Sequence, residues 1–509
     1  MRQGTQVIDR SLTRIVATVG PASNTIPVLD ALIRAGVSIV RLNFSHGSLE
    51  QHHKTLAAIR TVEQSTGQVT AVLADLPGPK IRVGQAPLEG IDLQVGQVVR
   101  IRPGAHCSIG PEPTLACTYA GIVDDAEAGH RVLIDDGAVR LLVIDRREGA
   151  LVCTTLTGGI VRTGKGINLP DSPVRADPIT ERDLAGAEFA VANEIDFVGM
   201  SFVQDPEDIR RLRGAIEQFG RRLGRHALPQ IVAKIERPQA IDRVEEIVRA
   251  ADAVMVARGD LGVEMDVAKV PVLQKRILAA ARAEGKPSIV ATQMLQSMVD
   301  VPVPTRAEVS DVANAILDGC DAVMLSGETA VGKWPVVTVE TMVRIAREAE
   351  RYLAETSAPA EPPARLVRER DRVAALAHGA SRSARDLGVA RVVAWSQTGV
   401  TALLLSRYGF IVPVLAASTD LAALRRMRIL RGVEPMLVET PPASFLDFVS
   451  AAERSLRERG VARTGDLVLV VSGERFGVGA PSALMALREI GSDDGSSPPA
   501  GGAESGGGA

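Results

Sequence analysis

The sequence predicts an α/β chain: a (β/α)8 TIM barrel, a small β-barrel lid domain inserted into it, and an open α/β domain at the C-terminal end. Three observations carry that prediction. Short runs of Val, Ile, Ala and Leu recur eight times between residues 14 and 330, each followed by a stretch with helical spacing. Such near-continuous apolar strands suit a sheet covered on both faces. The helical spacing lapses over about 87–170, where short strands and Gly turns take over, and a third α/β stretch begins after the Pro-rich linker at 358–365.

In order, the eight runs are RIVATVG (14–20), SIVRLNFSHG (38–47), VTAVLADLPG (69–78), IDFVGMSFVQD (195–205), QIVAKIE (230–236), DAVMVARGD (252–260), PSIVATQM (287–294) and DAVMLSGETA (321–330). The intervening helices carry start signals: Asp205-Pro206 ahead of IRRL, and Thr305 three residues before Glu308, a capping-box spacing. The barrel is expected over 1–86 and 171–355, interrupted at 87–170 by the β insert. Within the insert, Asp136-Gly137 and Glu148-Gly149 are hairpin-turn signals. Insertion after the third strand places this domain over the barrel mouth, as a lid. Residues 366–490 alternate again, with a helix through 371–387 and strands RVVAWS, VPVLAAS and DLVLVVSG. The tail 491–509 is rich in Gly, Ser and Pro, a composition expected to be disordered.

Composition narrows the function classes. A 509-residue chain exceeds a single core, and its net charge of −3 leaves no basic footprint for nucleic acid or an acidic membrane. Aromatics at 3% are too few for base-stacking platforms. Cys107, Cys117, Cys153 and Cys320 have neither zinc-type spacing nor a disulfide framework. No apolar stretch has the form of a signal peptide or a transmembrane run, so a soluble cytoplasmic protein is expected.

The chemistry concentrates in residues 230–264. Alternation puts Val232, Lys234 and Glu236 on one strand face, and a right-handed crossover brings the next strand alongside. With neighbouring strands about 4.8 Å apart, Glu236 and Asp260 can reach one cation, and two carboxylates on rigid strand ends suit Mg²⁺. Lys234 beside them supplies positive charge for a developing anion. The competing reading is a salt-bridge belt along a sheet edge. Elsewhere at the expected mouth, Arg41 and Asn43 share a face, and a guanidinium there suits forked binding of phosphate. The third strand ends in Asp75-Leu76-Pro77-Gly78-Pro79-Lys80-Ile81-Arg82, the seventh in Thr292-Gln293 and the eighth in Ser326-Gly327-Glu328. Phosphate binders, a metal pair, a lysine and hydroxyls together suit phosphoryl transfer.

In this order and spacing, VRLNFSHG, DLPGPKIR, GKGINLP, AKIE, MVARGDLGVE, ATQMLQSM and MLSGETA resemble the pyruvate kinase family, over about residues 12–490. The resemblance implies phosphoryl transfer from phosphoenolpyruvate to ADP, giving pyruvate and ATP, with Mg²⁺ (or Mn²⁺) as cofactor, in a cytoplasmic homotetramer. It implies that Lys234 stabilises the phosphoryl group and enolate, Glu236 and Asp260 hold the metal, and Gly259 and Thr292 bind substrate. Arg41 would grip the phosphoenolpyruvate phosphate, while Arg82 and Lys165 would meet nucleotide phosphates, with Asn43 and His46 in the same region. Thr292 and Ser326 would relay a proton to the enolate. His46 is equally a structural turn residue.

Two departures from the family pattern stand out. Many members carry Thr and Glu where this chain has Leu76 and Lys80, beside the monovalent-cation region of Asn43, Ser45 and Asp75. The Lys80 ammonium can replace that cation, so K⁺ is expected not to be required. In the C-terminal domain, Ser396, Thr398, Gly399 and Thr401 follow a strand and open a helix, which is either a phosphate nest for a phosphorylated effector or a plain helix cap. The late loop SGERFGVGAPSA differs from the family's usual form and leaves the effector open. Three further features invite bland readings. GIVRTGK (159–165) lacks the Ser or Thr a P-loop needs. His52 and His53 are expected at the surface, and Arg425, Arg426 and Arg428 on a solvated or subunit-contact face, with effector binding as the alternative. Two other functions compete: a Mg²⁺-dependent aldolase or lyase barrel, which needs no nucleotide lid, and a silent paralogue, which would have lost Lys234, Glu236 or Asp260.

Overall fold

The eight apolar runs form eight parallel strands, Arg14–Thr18, Val37–Asn43, Ala71–Asp75, Phe197–Met200, Gln230–Ile235, Ala253–Ala257, Ser288–Ala291 and Ala322–Leu325, hydrogen-bonded in sequence order into a closed barrel. The computed structural model describes residues 11–356, 361–473, 476 and 483–491. The tail from 492, residues 357–360 of the linker and most of the late loop SGERFGVGAPSA lie outside these. Alternation sorts the strand side chains. Ile231, Ala233 and Ile235 pack outward against helix residues such as Ile209 and Ile247, while Val232, Phe197, Met255 and Ile289 fill the barrel. Capping boxes start the helices Leu49–Thr66, Glu181–Ala192, Pro206–Leu223 and Arg306–Leu317, the last two at the expected Asp205 and Thr305.

One boundary differs in a way that bears on function. The run DAVMVARGD stops being a strand at Ala257, and Arg258–Glu264 is a helix. Arg258 and Asp260 therefore sit on the first helical turn beyond the strand rather than on the strand itself.

In the insert, Ile91–Leu93 pairs with Gly159–Val161. A six-stranded sheet then runs in the order Ile167–Asn168, Arg131–Ile134, Val139–Arg147, Ala150–Thr157, Val98–Pro103 and Thr114–Cys117. Bridges from Arg82 to Gly166 and from Val83 to Cys117 join one segment to both edges of this sheet, closing it. The hairpin signals act as expected: Asp136 and Gly137 have φ of 53° and 86°, Glu148 and Gly149 of 52° and 69°. The insert's apolar core draws in Ile81, Val83 and Val174 from either side of 87–170.

The C-terminal sheet has the order Val433–Leu437, Val414–Ser418, Arg391–Trp395, Leu467–Gly473 and Ala483–Glu489, with the last strand antiparallel. One apolar side of it, with Ala377, Leu405, Leu424 and Ile429 of the helical segments in the same cluster, is continuous with the side chains inside the barrel. This domain therefore floors the barrel at the end opposite the strand C-termini. Polar contacts rim the floor: Arg14 Nε donates to Leu430 O at 2.9 Å, and Arg407 Nη1 to Asp321 Oδ2 at 3.0 Å. Arg425 Nε reaches Glu63 Oε1 at 3.0 Å and Arg428 Nη2 reaches Ser38 Oγ at 3.1 Å. The expected solvated face is thus corrected for Arg425 and Arg428, which tie the domain to the barrel; Arg426 is half-buried beside Asp420. No described helix is long and apolar enough to cross a membrane.

Candidate active site

Lys234 is the inward-facing residue before the end of its strand, so its side chain rises from the barrel core into the mouth. Its Nζ donates to Ser201 Oγ at 2.7 Å and lies 2.8 Å from Glu236 Oε1 and 3.3 Å from Asp75 Oδ1. Ser201 donates in turn to Leu76 O at 2.7 Å. Asp75 ends the third strand and also accepts from Arg41 Nε at 2.7 Å, and Arg41 Nη1 donates to Thr18 Oγ1 at 2.9 Å. Lys234, Asp75 and Arg41 thus form one chain of alternating charge across three strand ends.

The burial of these charges sets their protonation. Burial works to lower the Lys234 pKa, but Asp75 and Glu236 outweigh it and the group is raised, so it stays an ammonium. Burial pushes Asp75 up, and Lys234 and Arg41 overcome that and hold it below the usual carboxylate range. Glu236 is raised: burial and the nearby Asp260 charge win over Lys234.

Glu236 is 1% exposed, and its Oε2 accepts from the Phe202 N–H at 2.9 Å. Its Oε1 is buried and stands 2.8 Å from the Lys234 ammonium. Asp260 acts on both groups electrostatically. A buried carboxylate whose charge is opposed by a second carboxylate fits a hard divalent cation. Among the described residues no cluster of three or more His, Cys, Asp or Glu could hold a metal, so Glu236 and Asp260 would leave most of its positions to water and substrate.

Beyond the seventh strand, Thr292 and Gln293 have φ of 71° and 53°. A β-branched residue in the left-handed region is strained and needs its surroundings to hold it. Thr292 Oγ1 accepts from the Gly259 N–H at 2.7 Å, and Arg258 Nη2 donates to Thr292 O at 2.8 Å. Asp311 Oδ1 anchors Arg258 at 2.7 Å. Glu328, fully buried, ties two strand ends by accepting from Leu295 N at 3.1 Å and Ser326 N at 2.7 Å. The Ser326 hydroxyl is buried and has no hydrogen-bond partner.

Asn43 lies opposite Asp75 in the strand register, and its Oδ1 accepts from the Ser45 N–H at 3.1 Å. Lys80 is exposed and makes no ion pair among the described residues, so it is not brought onto Asn43, Ser45 or Asp75; Leu76 is buried. His46 is exposed, and its carbonyl meets the His52 ring at 3.0 Å. His52 itself is buried and stacked on Phe44 at 4.4 Å, which corrects its expected surface position; His53 is exposed. Arg82 and Lys165 come together, since Arg82 bridges Gly166 and donates to Gly164 O at 2.8 Å; Lys165 Nζ pairs with Asp135 at 2.9 Å. In the C-terminal domain, Gly399 has φ of 92°, and the buried Ser396 hydroxyl accepts from the Ala402 N–H at 3.0 Å. Ser396 therefore accepts from the first turn of the helix Val400–Ser406, whose N-cap is Gly399, while Thr398 is exposed and Thr401 half-buried.

The sequence reading missed Ser201, which orients Lys234, and Thr18, which orients Arg41. Both are hydroxyls at or just past the end of a barrel strand, the same signal that singled out Thr292 and Ser326.

Comparison with known proteins adds sequence and structural relatives. Family models described as pyruvate kinase barrel domain and pyruvate kinase alpha/beta domain match residues 10–339 and 374–485. The chain is 41% identical over 487 residues to a pyruvate kinase of Mycobacterium tuberculosis strain H37Rv, spanning 94% of this chain and 99% of the relative. It is 38% identical over 484 residues to that of Geobacillus stearothermophilus, with 94% and 80% covered. A crystal structure of a pyruvate kinase from Cryptosporidium parvum superposes with a TM-score of 0.85 at 32% identity, covering 95% of this chain and 97% of the other.

Proposed function

The chain belongs to the pyruvate kinase family, enzymes that act on phosphoenolpyruvate and ADP to give pyruvate and ATP, and we propose how its own residues divide that work. The observation that carries the proposal is the Lys234 ammonium, held between Ser201, Asp75 and Glu236 at the barrel mouth. Its raised pKa keeps it charged at neutral pH, so it can offset the negative charge on the phosphoryl group in flight and on the enolate left behind. Arg41, fixed by Asp75 and Thr18, presents its guanidinium to the phosphate of phosphoenolpyruvate.

Glu236 and Asp260 are the residues that would hold Mg²⁺, with Mn²⁺ as an alternative. Bound there, the cation supplies Lewis-acid stabilisation of phosphoryl and enolate oxygens. Gly259 and Thr292 position substrate beside it, and Lys165 of the insert, with Arg82 bridged to the same segment, meets the nucleotide phosphates, with Asn43 and His46 on the barrel side. The phosphorus–oxygen bond to the enol oxygen breaks as one forms to a terminal phosphate oxygen of ADP. The enolate then takes a proton at carbon to become pyruvate. Ser326, whose hydroxyl is committed to no protein acceptor, and Thr292 are the groups placed in the relay.

The finer reading is K⁺-independence. Leu76 offers no side-chain oxygen to a monovalent cation, and Lys80 puts a positive charge on the same turn. The proposal extends to a cytoplasmic homotetramer and to a phosphorylated effector at Ser396, Thr398, Gly399 and Thr401. Pyruvate formation from phosphoenolpyruvate with ADP and Mg²⁺, with K⁺ or with tetramethylammonium at equal ionic strength, tests both levels. Equal rates support the reaction and its K⁺-independence. Dependence on K⁺ removes the Lys80 part, and no turnover by the folded protein removes the reaction.

A further inference from the structure

The insert and the barrel each carry half of the reacting system in the reading above. Lys165 lies in the insert and Arg82, just ahead of it in the chain, is bridged to it at Gly166, while Asp260 and Gly259 open the helix Arg258–Glu264. Among the described residues, one side-chain hydrogen bond runs from 87–170 directly into a barrel helix: Asn168 Nδ2 donates to Glu264 Oε1 at 2.7 Å. Asn168 lies three residues beyond Lys165, on a short strand held in the insert sheet by pairing with Leu133. Glu264 is the last residue of the helix that begins with Arg258, Gly259 and Asp260.

The setting makes this bond consequential. Glu264 is 6% exposed, so its carboxylate has little water to fall back on. Arg237 bears on it electrostatically, and Asp260 of the same helix and Asp171 beyond the insert add negative charge. Arg237 is itself buried, follows Glu236, and lies over the Phe202 ring at 5.1 Å, the same Phe202 whose N–H donates to Glu236. A buried acid at the end of the substrate helix thus receives its hydrogen bond from the segment that carries the nucleotide lysine.

We propose that Asn168 and Glu264 form a latch that registers the insert against the substrate helix, setting the distance between the Lys165 segment and Asp260. Both are positioning residues: neither touches the reacting atoms, and each acts through the segment it holds. The proposal rests on the functional reading above. The latch makes the nucleotide half-site sensitive to a bond that the phosphoenolpyruvate half-site does not use, because Arg41 and Lys234 are held by Asp75, Thr18 and Ser201.

Steady-state kinetics of Asn168→Ala, Glu264→Ala, the double variant and Glu264→Gln test this. Each alanine variant is expected to raise KM for ADP about tenfold, the size of one hydrogen bond to a charged group, with KM for phosphoenolpyruvate within twofold. The double variant should be no worse than the worse single, since both remove the same bond. Glu264→Gln keeps an acceptor oxygen for Asn168 and should restore most of the ADP affinity. Equal shifts in both KM values, effects that add in the double variant, or failure of Glu264→Gln to rescue would overturn the latch. Thermal unfolding of each variant separates lost folding from lost register. An inactive wild type would instead remove the functional reading, so the two failures are distinguishable.

Discussion

The Lys234 ammonium stands 2.8 Å from Oε1 of Glu236, a carboxylate 1% exposed. A divalent cation at Glu236 therefore shares the carboxylate with a fixed positive charge, and each limits what the other can do. Glu236→Gln should raise the Mg²⁺ concentration for half-maximal rate by about 10- to 100-fold, read from a Mg²⁺ titration of pyruvate formation. Lys234→Met should lower kcat by about 10²–10³-fold. Because the Lys234 pKa is raised in the folded chain, its contribution to stability is complete below about pH 10.4 and is lost only as pH climbs through the folded value. The lysine itself adds no pH dependence to stability near neutrality.

Arg258 holds the strained Thr292 by its carbonyl, and Thr292 in turn accepts from Gly259. Arg258→Ala should let the left-handed turn relax and displace the Thr292 hydroxyl. The expected loss is about 10²-fold in kcat/KM for phosphoenolpyruvate. An unchanged kcat/KM would mean that the turn holds without the guanidinium.

Asp196 tests the pH linkage away from the mouth. Burial raises its pKa in spite of Arg60 and Arg425. A raised carboxylate stabilises the fold below the unfolded pKa of about 3.9 and loses that contribution as pH rises through the folded value. Relative to Asp196→Asn, the wild type should therefore become less stable as pH rises from about 4, then level off. Urea-unfolding midpoints of the two proteins across that range give the slope, and the opposite sign would refute the assignment.

Reversing the two departures in the third-strand turn gives a direct cation test. On the proposed K⁺-independence, the double variant Leu76→Thr with Lys80→Glu should gain a requirement for K⁺ that is not expected of the wild type. Rates measured in K⁺ and in tetramethylammonium would show a ratio near one for the wild type and well above one for the variant.

Arg407 and Asp321 form an ion pair with side chains 7% and 5% exposed. Removing one member leaves the other charge buried, so Arg407→Ala should cost about 3–5 kcal/mol of stability. Below the unfolding transition, KM for both substrates should stay within twofold, because the pair lies at the floor and not the mouth. Thermal unfolding and kinetics on one preparation check both halves.

These residues also mark what was legible in the sequence. The barrel was, because each strand is apolar on both faces and each catalytic candidate follows such a run. Arg41, Asp75, Lys234 and Glu236 converge as alternation requires, and the order of strands follows from right-handed crossovers. Ends were less legible: Arg258-Gly259-Asp260 continues a strand by pattern, yet the chain turns into a helix there. Two C-terminal strands were missed for separate reasons. Val433–Leu437 contains Pro435, tolerated because the strand lies at the sheet edge, and ALMALRE at 483–489 has helix-forming residues that the sheet overrides. Side-chain pairings outside the barrel mouth were not legible. Arg425 meets Glu63 and His52 stacks on Phe44, and no local pattern encodes either contact. Lys80 shows the converse: a charge placed by analogy beside Asp75 stands exposed, while Arg41 and Lys234 occupy that carboxylate.

The shared apolar core between the barrel interior and the C-terminal sheet removes modularity from this molecule. A domain that merely touches its neighbour can be shed, swapped or fused elsewhere, but here the second domain supplies the first one's lining. Excising residues 366–490 would leave Val16, Ile39 and Met324 facing solvent through an open base. Folding of the two units is then coupled, and a substitution that loosens the C-terminal sheet acts at the roots of the strands whose tips carry the candidate site.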